Sequence, residues 1–174
     1  MIHAQIRTPR LLIRAATRAD AGLLAQHITP AISRWTAAWR PDMTTDAVEQ
    51  LITPWLEGAA RGDTFPGIIE RRDRGEMIGW MKIGLADGLA DLSYWIAAPA
   101  QRQGFAREAA DGTIRFAFDT LGANAVTAGA QSSNAASHAL LAALGLRPDG
   151  RRDVYAPARD RMEPCDFWRI DRPG

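Results

Sequence analysis

Trp95-Ile96-Ala97-Ala98-Pro99-Ala100-Gln101-Arg102-Gln103-Gly104-Phe105-Ala106 runs from strand signals to helix signals across a loop that ends in very small side chains. Leu89 to Ala97 reads as a strand, and Pro99 follows where the chain must leave the ladder, having no N–H to give it. Beyond the loop, Ala106, Ala110, Ile114, Ala117 and Leu121 form one helical stripe with Gly122 as its stop. Gly104 has no Cβ to hold an anion away, and Ala106 has only a methyl. The first amides of a helix lack intrahelical partners and lie at the positive end of its dipole, so this turn offers a diphosphate a seat of bare backbone. Three or four charge-assisted bonds of about 1.5–3 kcal/mol each would anchor one without a lysine, with Arg102 and Arg107 at the sides. A glycine before a helix also marks an ordinary turn, so the motif is read with its context. Neither Gly-Lys-Ser/Thr nor three spaced glycines occur here. A phosphate loop, a dinucleotide fingerprint and a kinase-like nucleotide site are therefore disfavoured.

Working outward, Arg10 to Arg14 reads as a short strand. Thr17 to Asp20 is a capping arrangement for a helix through Leu23, Leu24, His27 and Ile28, with Pro30 closing it. Thr44 or Thr45 caps a second helix whose stripe (Val48, Leu51, Ile52, Trp55, Leu56 and Ala59) ends at Gly62 and which Pro54 is expected to kink or break. Thr64–Glu70, Met77–Leu85 and Leu89–Ala97, joined by turns, form an antiparallel meander. Ala125–Ala130 is a strand, Ala135–Leu144 a helix stopped by Gly145, and two more strands surround Arg152–Ala156 and Asp166–Ile170. A meander followed by strand, helix, strand and helix implies an α/β (α+β) protein with a mixed, mostly antiparallel sheet of about seven strands and helices on both faces, in one domain over 1–174.

The chain has 174 residues, 47% of them hydrophobic, enough to bury one core. Its 21 Lys plus Arg against 20 Asp plus Glu give no bulk charge to draw it to nucleic acid or a membrane. The arginines gathered between Arg147 and Arg172 read as a solvated basic end or an anion site. One cysteine, Cys165, excludes an internal disulfide framework and a cysteine metal cluster, and no metal site is expected. That usage suits a reducing compartment, and the first residues lack the apolar core of a signal peptide, so the expected location is cytoplasmic.

A second polar cluster supports the loop. In Asn134-Ala135-Ala136-Ser137 running into Leu144-Gly145-Leu146, the spacing sets Asn134, Ser137 and Leu141 on one helical face. Asn134 also has the character of a helix cap. Taken with Gln101-x-x-Gly104-x-Ala106, with Thr8-Pro9-Arg10-Leu11-Leu12-Ile13-Arg14 and Asp20, and with Tyr94-Trp95-Ile96-Ala97, this order over nearly the whole chain resembles the GCN5-related N-acetyltransferase (GNAT) superfamily, in its RimJ/RimL-type branch of ribosomal-protein N-acetyltransferases.

The resemblance implies a splayed central strand whose backbone at Trp95, Ile96 and Ala97 pairs with the pantetheine arm of acetyl-CoA. It implies cofactor contacts at Gln101, Arg102, Gln103, Gly104, Phe105, Ala106 and Arg107, and at Asn134 and Ser137, with Ser137 as proton donor to the leaving thiolate. Many superfamily members use a tyrosine at the position of Leu141. A thiol of pKa near 8.5 leaves readily, so that absence does not defeat an acetyl transfer to a protein N-terminal α-amine or a small-molecule amine. Asp91 is the candidate base, acting through water, or else a turn carboxylate after Asp87-Gly88. By the same analogy the acceptor lies between Arg34–Trp39, with Trp35 and Trp39, and the segment at Tyr155, near Ser93; as residues alone, the two tryptophans read more readily as buried core. Relatives of this type are often homodimers. The alternative reading is a CoA-binding sensor or scaffold without turnover. His27 and His138 are read as a core edge and a helix surface, and Cys165 as a buried thiol.

Overall fold

The computed structural model describes residues 5–174. In chain order the strands are β1 (Gln5–Arg7), β2 (Leu11–Ala15), β3 (Thr64–Arg71), β4 (Met77–Ala86), β5 (Leu89–Ile96), β6 (Ala125–Gln131), β7 (Arg147–Ala156) and β8 (Arg161–Asp171). The helices are α1 (Ala21–His27), α2 (Pro30–Ser33), α3 (Thr45–Arg61), α4 (Phe105–Asp119) and α5 (Ala135–Ala143). All eight strands join one sheet in the order β1-β2-β3-β4-β5-β6-β8-β7, one strand more than the sequence pattern implies, because β1 is only three residues long. Every neighbouring pair is antiparallel except β5 and β6.

Alternation along the strands divides the core between the two faces. On one face Ile13, Ile69, Met81, Ile83, Leu92 and Val126 pack with Ala109, Ala110 and Ile114 of α4 and Leu141 of α5. On the other Ile68, Trp80 and Trp95 pack with Leu24 of α1, Ile32 of α2 and Val48 and Ile52 of α3. The second face centres on Trp39, whose ring lies 5.4–5.9 Å from those of Trp55, Trp80 and Trp95.

Local signals account for most boundaries. The Thr17 amide donates to Asp20 Oδ2 at 2.7 Å, which fixes the turn before α1, and Asp20 in turn accepts from both terminal nitrogens of Arg14. Burial would raise the Asp20 pKa, but these bonds outweigh it and hold the carboxyl below its ordinary value. Thr44 caps α3 through the Ala47 amide, and Gly62 closes it in the left-handed region. Two proline readings need correction. Pro30 opens α2 at its first turn, where its missing N–H has no partner to lose. Of the kink or break expected at Pro54, the break does not occur: α3 continues to Arg61, with the residue exposed and the Thr53 hydroxyl donating to the neighbouring Glu49 carbonyl. Among the described residues no helix is long and apolar enough to cross a membrane.

Candidate active site

The parallel pair is three residues long. β5 and β6 are in register at Leu89↔Ala125, Ala90↔Val126 and Asp91↔Thr127, and pairing stops there. From Leu92 to Ile96 one edge of β5 has no strand beside it, and neither has β6 from Ala128 on its inner side. The gap opens into a cleft of about 690 Å³ that passes between the two faces of the sheet. Gln101, Arg102, Gly104, Phe105, Ala106 and Arg107 line it, as do Asn134 and Ser137.

At one end of this cleft the chain turns from β5 into α4. Arg102 (φ 63°) and Gly104 (φ 79°) both lie in the left-handed region on either side of Gln103, an alternation that turns successive amides into one concavity. Gly104 is the N-cap of α4, and no side chain caps the helix. The first bond of the helix runs from the Glu108 amide to the Gly104 carbonyl, so the amides before it have no helical acceptor. The outside of the turn is held by Arg10, whose Nη1 donates to the Gln103 carbonyl at 3.0 Å and whose guanidinium lies over the Phe105 ring at 4.4 Å. Glu108 anchors Arg10 through Nε at 2.6 Å and takes further bonds from the Arg10 amide and the Thr8 hydroxyl. The Thr8-Pro9-Arg10 stretch thus acts as a strut for the turn.

Two cofactor candidates do not line the cleft. The Gln103 side chain turns back to the Pro99 carbonyl, and the Ala97 amide is taken by the Ile78 carbonyl. The Gln101 side chain donates through Nε2 to the Ile96 carbonyl at 2.8 Å, on the open edge of β5. Trp95 lines the cleft, but its ring is packed in the tryptophan cluster, with a buried indole N–H that has no acceptor.

On the α5 side, Asn134 caps the helix by accepting from the Ser137 amide at 3.2 Å. The Ser137 hydroxyl meets the phenol of Tyr94 at 3.1 Å, a contact across the gap from α5 to β5. Desolvation raises the Tyr94 pKa, against the lowering effect of that bond. In the sequence Tyr94 stands out only as the first residue of Tyr94-Trp95-Ile96-Ala97. Strand alternation, which points it away from Ser93 and Trp95 toward α5, is the signal that identifies it. Leu141 is fully buried.

The opposite side of the cleft is floored by Asp91, Ser93, Gly129 and Phe167 and walled by Trp35, Trp39, Trp55, Lys82 and Cys165. Asp91 makes no hydrogen bond or ion pair with any described residue. Its surface faces the open cleft, yet protein surrounds it at longer range, and this desolvation raises its pKa against the opposing charges of Lys82 and Arg152. Cys165 is likewise pushed up, first by desolvation and then by Glu163.

Trp35 and Trp39 both belong to this half of the cleft, Trp35 half-buried and Trp39 only 4% exposed in the core. Tyr155 does not belong to it. Its ring is half exposed on β7, hydrogen-bonded to Asp160. The residue that does reach the 33–39 loop is Arg159, which donates to the carbonyls of Ser33 at 2.6 Å and Thr36 at 3.0 Å and forks onto Glu163 with bonds of 2.7 and 2.6 Å. Gln131 bonds both the Arg34 carbonyl and Glu163, and the Ala158 amide bonds the Ala37 carbonyl. The bond from Arg159, helped by Arg161, holds Glu163 at a pKa of about 2. His138 is not a bare surface residue. It accepts from Trp168 Nε1 at Nδ1, so its other nitrogen carries the proton that meets the Gln131 carbonyl.

A sheet parted beside an uncapped helix start, with a serine on one wall and an unpaired carboxylate on the other, forms one cleft reached from both faces of the sheet. Comparison with known proteins identifies the class. Residues 10–147 match the model of the acetyltransferase (GNAT) domain. The uncharacterised N-acetyltransferase YoaA of Bacillus subtilis is 28% identical over 175 residues, covering 97% of both chains. Among solved structures, a putative ribosomal-protein-serine acetyltransferase from Vibrio cholerae superposes with a TM-score of 0.81 at 22% identity, covering 97% of this chain and 98% of that one. RimL, a ribosomal L7/L12 α-N-protein acetyltransferase in complex with coenzyme A, does so at 0.81 and 15%, with coverage of 97% and 98%. The chain belongs to the GNAT acetyltransferase family. It is an acyl-CoA-dependent N-acetyltransferase, and acetyl-CoA is the cosubstrate of that family.

Proposed function

We propose that this protein transfers an acetyl group from acetyl-CoA to a primary amine by direct attack within a ternary complex, the amine being a protein N-terminus or a small molecule. The observation that carries this reading is the run of uncapped amides from Gln103 to Arg107 beside the unpaired edge of β5. The cosubstrate supplies an acyl group activated as a thioester. The amides of residues 103–107 bind its diphosphate, with Arg102 and Arg107 beside them, and the edge at Ile96 orients its arm after Gln101 releases the Ile96 carbonyl. A backbone donor on that edge stabilises the oxyanion, an interaction of about 2.7–4 kcal/mol.

Asp91 takes the proton of the acceptor ammonium, directly or through one water. An α-amine of pKa near 8 is roughly a tenth free base at neutral pH, which makes this a modest task for a carboxylate. Ser137 gives a proton to the departing thiolate, and in the orientation in which Tyr94 donates to the Ser137 oxygen the serine proton is free to point at sulfur. Structural neighbours named as ribosomal-protein acetyltransferases favour a protein N-terminus. The residues lining the acceptor side favour a small amine, as developed below.

Gly104→Glu tests the reading. Its φ of +79° strains any side chain there, and a carboxylate at that point repels a diphosphate. Calorimetry is expected to show acetyl-CoA binding to the wild type and no measurable binding to the variant, with circular dichroism unchanged. Equal affinity in the two proteins would overturn the assignment of the diphosphate site.

A further inference from the structure

Lys82 is the only lysine in the chain; every other of its 21 basic residues is arginine. It lies on β4 directly opposite Ser93 of β5, lines the acceptor side of the cleft and is half-buried. Its ammonium stands 5.4 Å from the centre of the Trp55 ring. No carboxylate or carbonyl among the described residues pairs with it. Asp91, two positions along β5 from Ser93, is also unpaired. Diagonal neighbours across an antiparallel pair are about 7–8 Å apart at the backbone. Lys82 and Asp91 are therefore close enough to feel each other's charge without forming an ion pair.

Two opposite charges, each without a partner among the described residues, thus face one aromatic-lined cleft, Lys82 half-buried and Asp91 open to it. A molecule bearing an ammonium and a carboxylate on one carbon presents one charge-assisted partner to each of them. The roof is the 33–39 loop, tied down by Arg159 and Gln131, and it brings Trp35 over the same half of the cleft.

We infer that the acceptor is a free α-amino acid with a bulky apolar or aromatic side chain, its amine at Asp91, its carboxylate at Lys82 and its side chain against Trp35 and Phe167. The assignment rests on the acetyl-transfer reading above. In the reaction the ammonium gives up one proton to Asp91, the nitrogen forms a bond to the acetyl carbon, the carbon–sulfur bond breaks, the thiolate gains a proton from Ser137, and the second proton leaving the acylated nitrogen passes through water to restore the Ser137 hydroxyl. The products are the N-acetyl amino acid and coenzyme A. The product has lost the positive charge that faced Asp91, which promotes its release.

The test measures CoA release by the full chain with acetyl-CoA and phenylalanine, tryptophan and leucine. Each is offered as the free acid, the amide and the decarboxylated amine, and as the first residue of a tripeptide. For at least one side chain the free acid is expected to exceed the other three forms at least tenfold in kcat/KM. Lys82→Met is expected to collapse that ratio by raising KM for the acid, and Lys82→Arg to retain part of it. Preference for an amide, an amine or a tripeptide, or a ratio indifferent to Lys82→Met, would overturn the inference. The comparison of acceptors on the wild type stands even if the variant fails to fold. If no acceptor is acetylated while calorimetry still shows acetyl-CoA bound, the amino-acid assignment fails and the cofactor site stands; if acetyl-CoA does not bind, the broader reading fails.

Discussion

The Asp91 carboxylate faces the cleft with no donor or cation in bonding contact, and desolvation raises its pKa above the ordinary 3.8. Because the folded chain holds this proton more tightly than the unfolded chain, the group's contribution to stability is fullest below the unfolded pKa and is lost as pH rises through the folded one. At neutral pH, therefore, ionised Asp91 weakens the fold. Asp91→Asn is expected to raise Tm at pH 7 while lowering kcat/KM about 100-fold or more, and the acid limb of the wild-type pH–rate profile is expected above the ordinary carboxylate range. A variant that loses both Tm and activity would point to a structural carboxylate. Residues of this kind differ in how far the sequence reveals them. Gly104 and Ser137 stand in short motifs whose spacing is their geometry. Tyr94 and Lys82 act through partners on other elements, Ser137 lying 43 residues from Tyr94, so no local pattern marks them, although a lone lysine among arginines is itself visible in the composition.

The 33–39 loop has little structure of its own, and its place depends on the β7–β8 hairpin. Arg159 ties Ser33 and Thr36 to Glu163, and charge-assisted bonds of this sort contribute about 1.5–3 kcal/mol each. Arg159→Met is expected to raise KM for the amine severalfold or more while leaving KM for acetyl-CoA near the wild-type value, since the diphosphate turn lies on other elements. Parallel rises in both constants would argue against a local clasp. Glu163, held at about 2 against an ordinary 4.5, contributes stability that is complete above about 4.5 and is lost as pH falls toward 2. Denaturant titrations at pH 6 and pH 3 are expected to show a smaller loss for Glu163→Gln than for the wild type. Elements were legible where periodicity or a cap announced them, as in α3 with Thr44 and Gly62 at its ends and in the β3–β5 meander. The strand β1 is too short for a pattern, and the β7–β8 hairpin is interrupted by a register shift between Pro148 and Arg151, so only its last half was anticipated. Family analogy points to the segment at Tyr155 for the acceptor pocket, whereas the ties to the 33–39 loop come from Ala158 and Arg159 in the turn beyond it.

Across the whole molecule the sheet consists of five strands on one side of the gap and three on the other, in register with each other at only three positions. A ligand seated in the gap touches both sides and binds the folded chain alone, so it stabilises by about 2.7 kcal/mol when present at 100 times its Kd. Acetyl-CoA is accordingly expected to raise Tm by several degrees, with the size of the rise following the logarithm of its concentration. An unchanged melting curve at saturating ligand would contradict binding between the two groups of strands. Beside that gap a Cβ on Gly129 would lie 2.6 Å from the ring of its cross-strand partner Phe167, so the ring lies over β6 itself and only a glycine leaves it room. The sheet has a built-in seam, and its two lips should be the fastest-exchanging strand amides in the protein. Deuterium uptake at residues 92–96 and 128–131 would then report, in real time and without any product being formed, whether the seam is occupied.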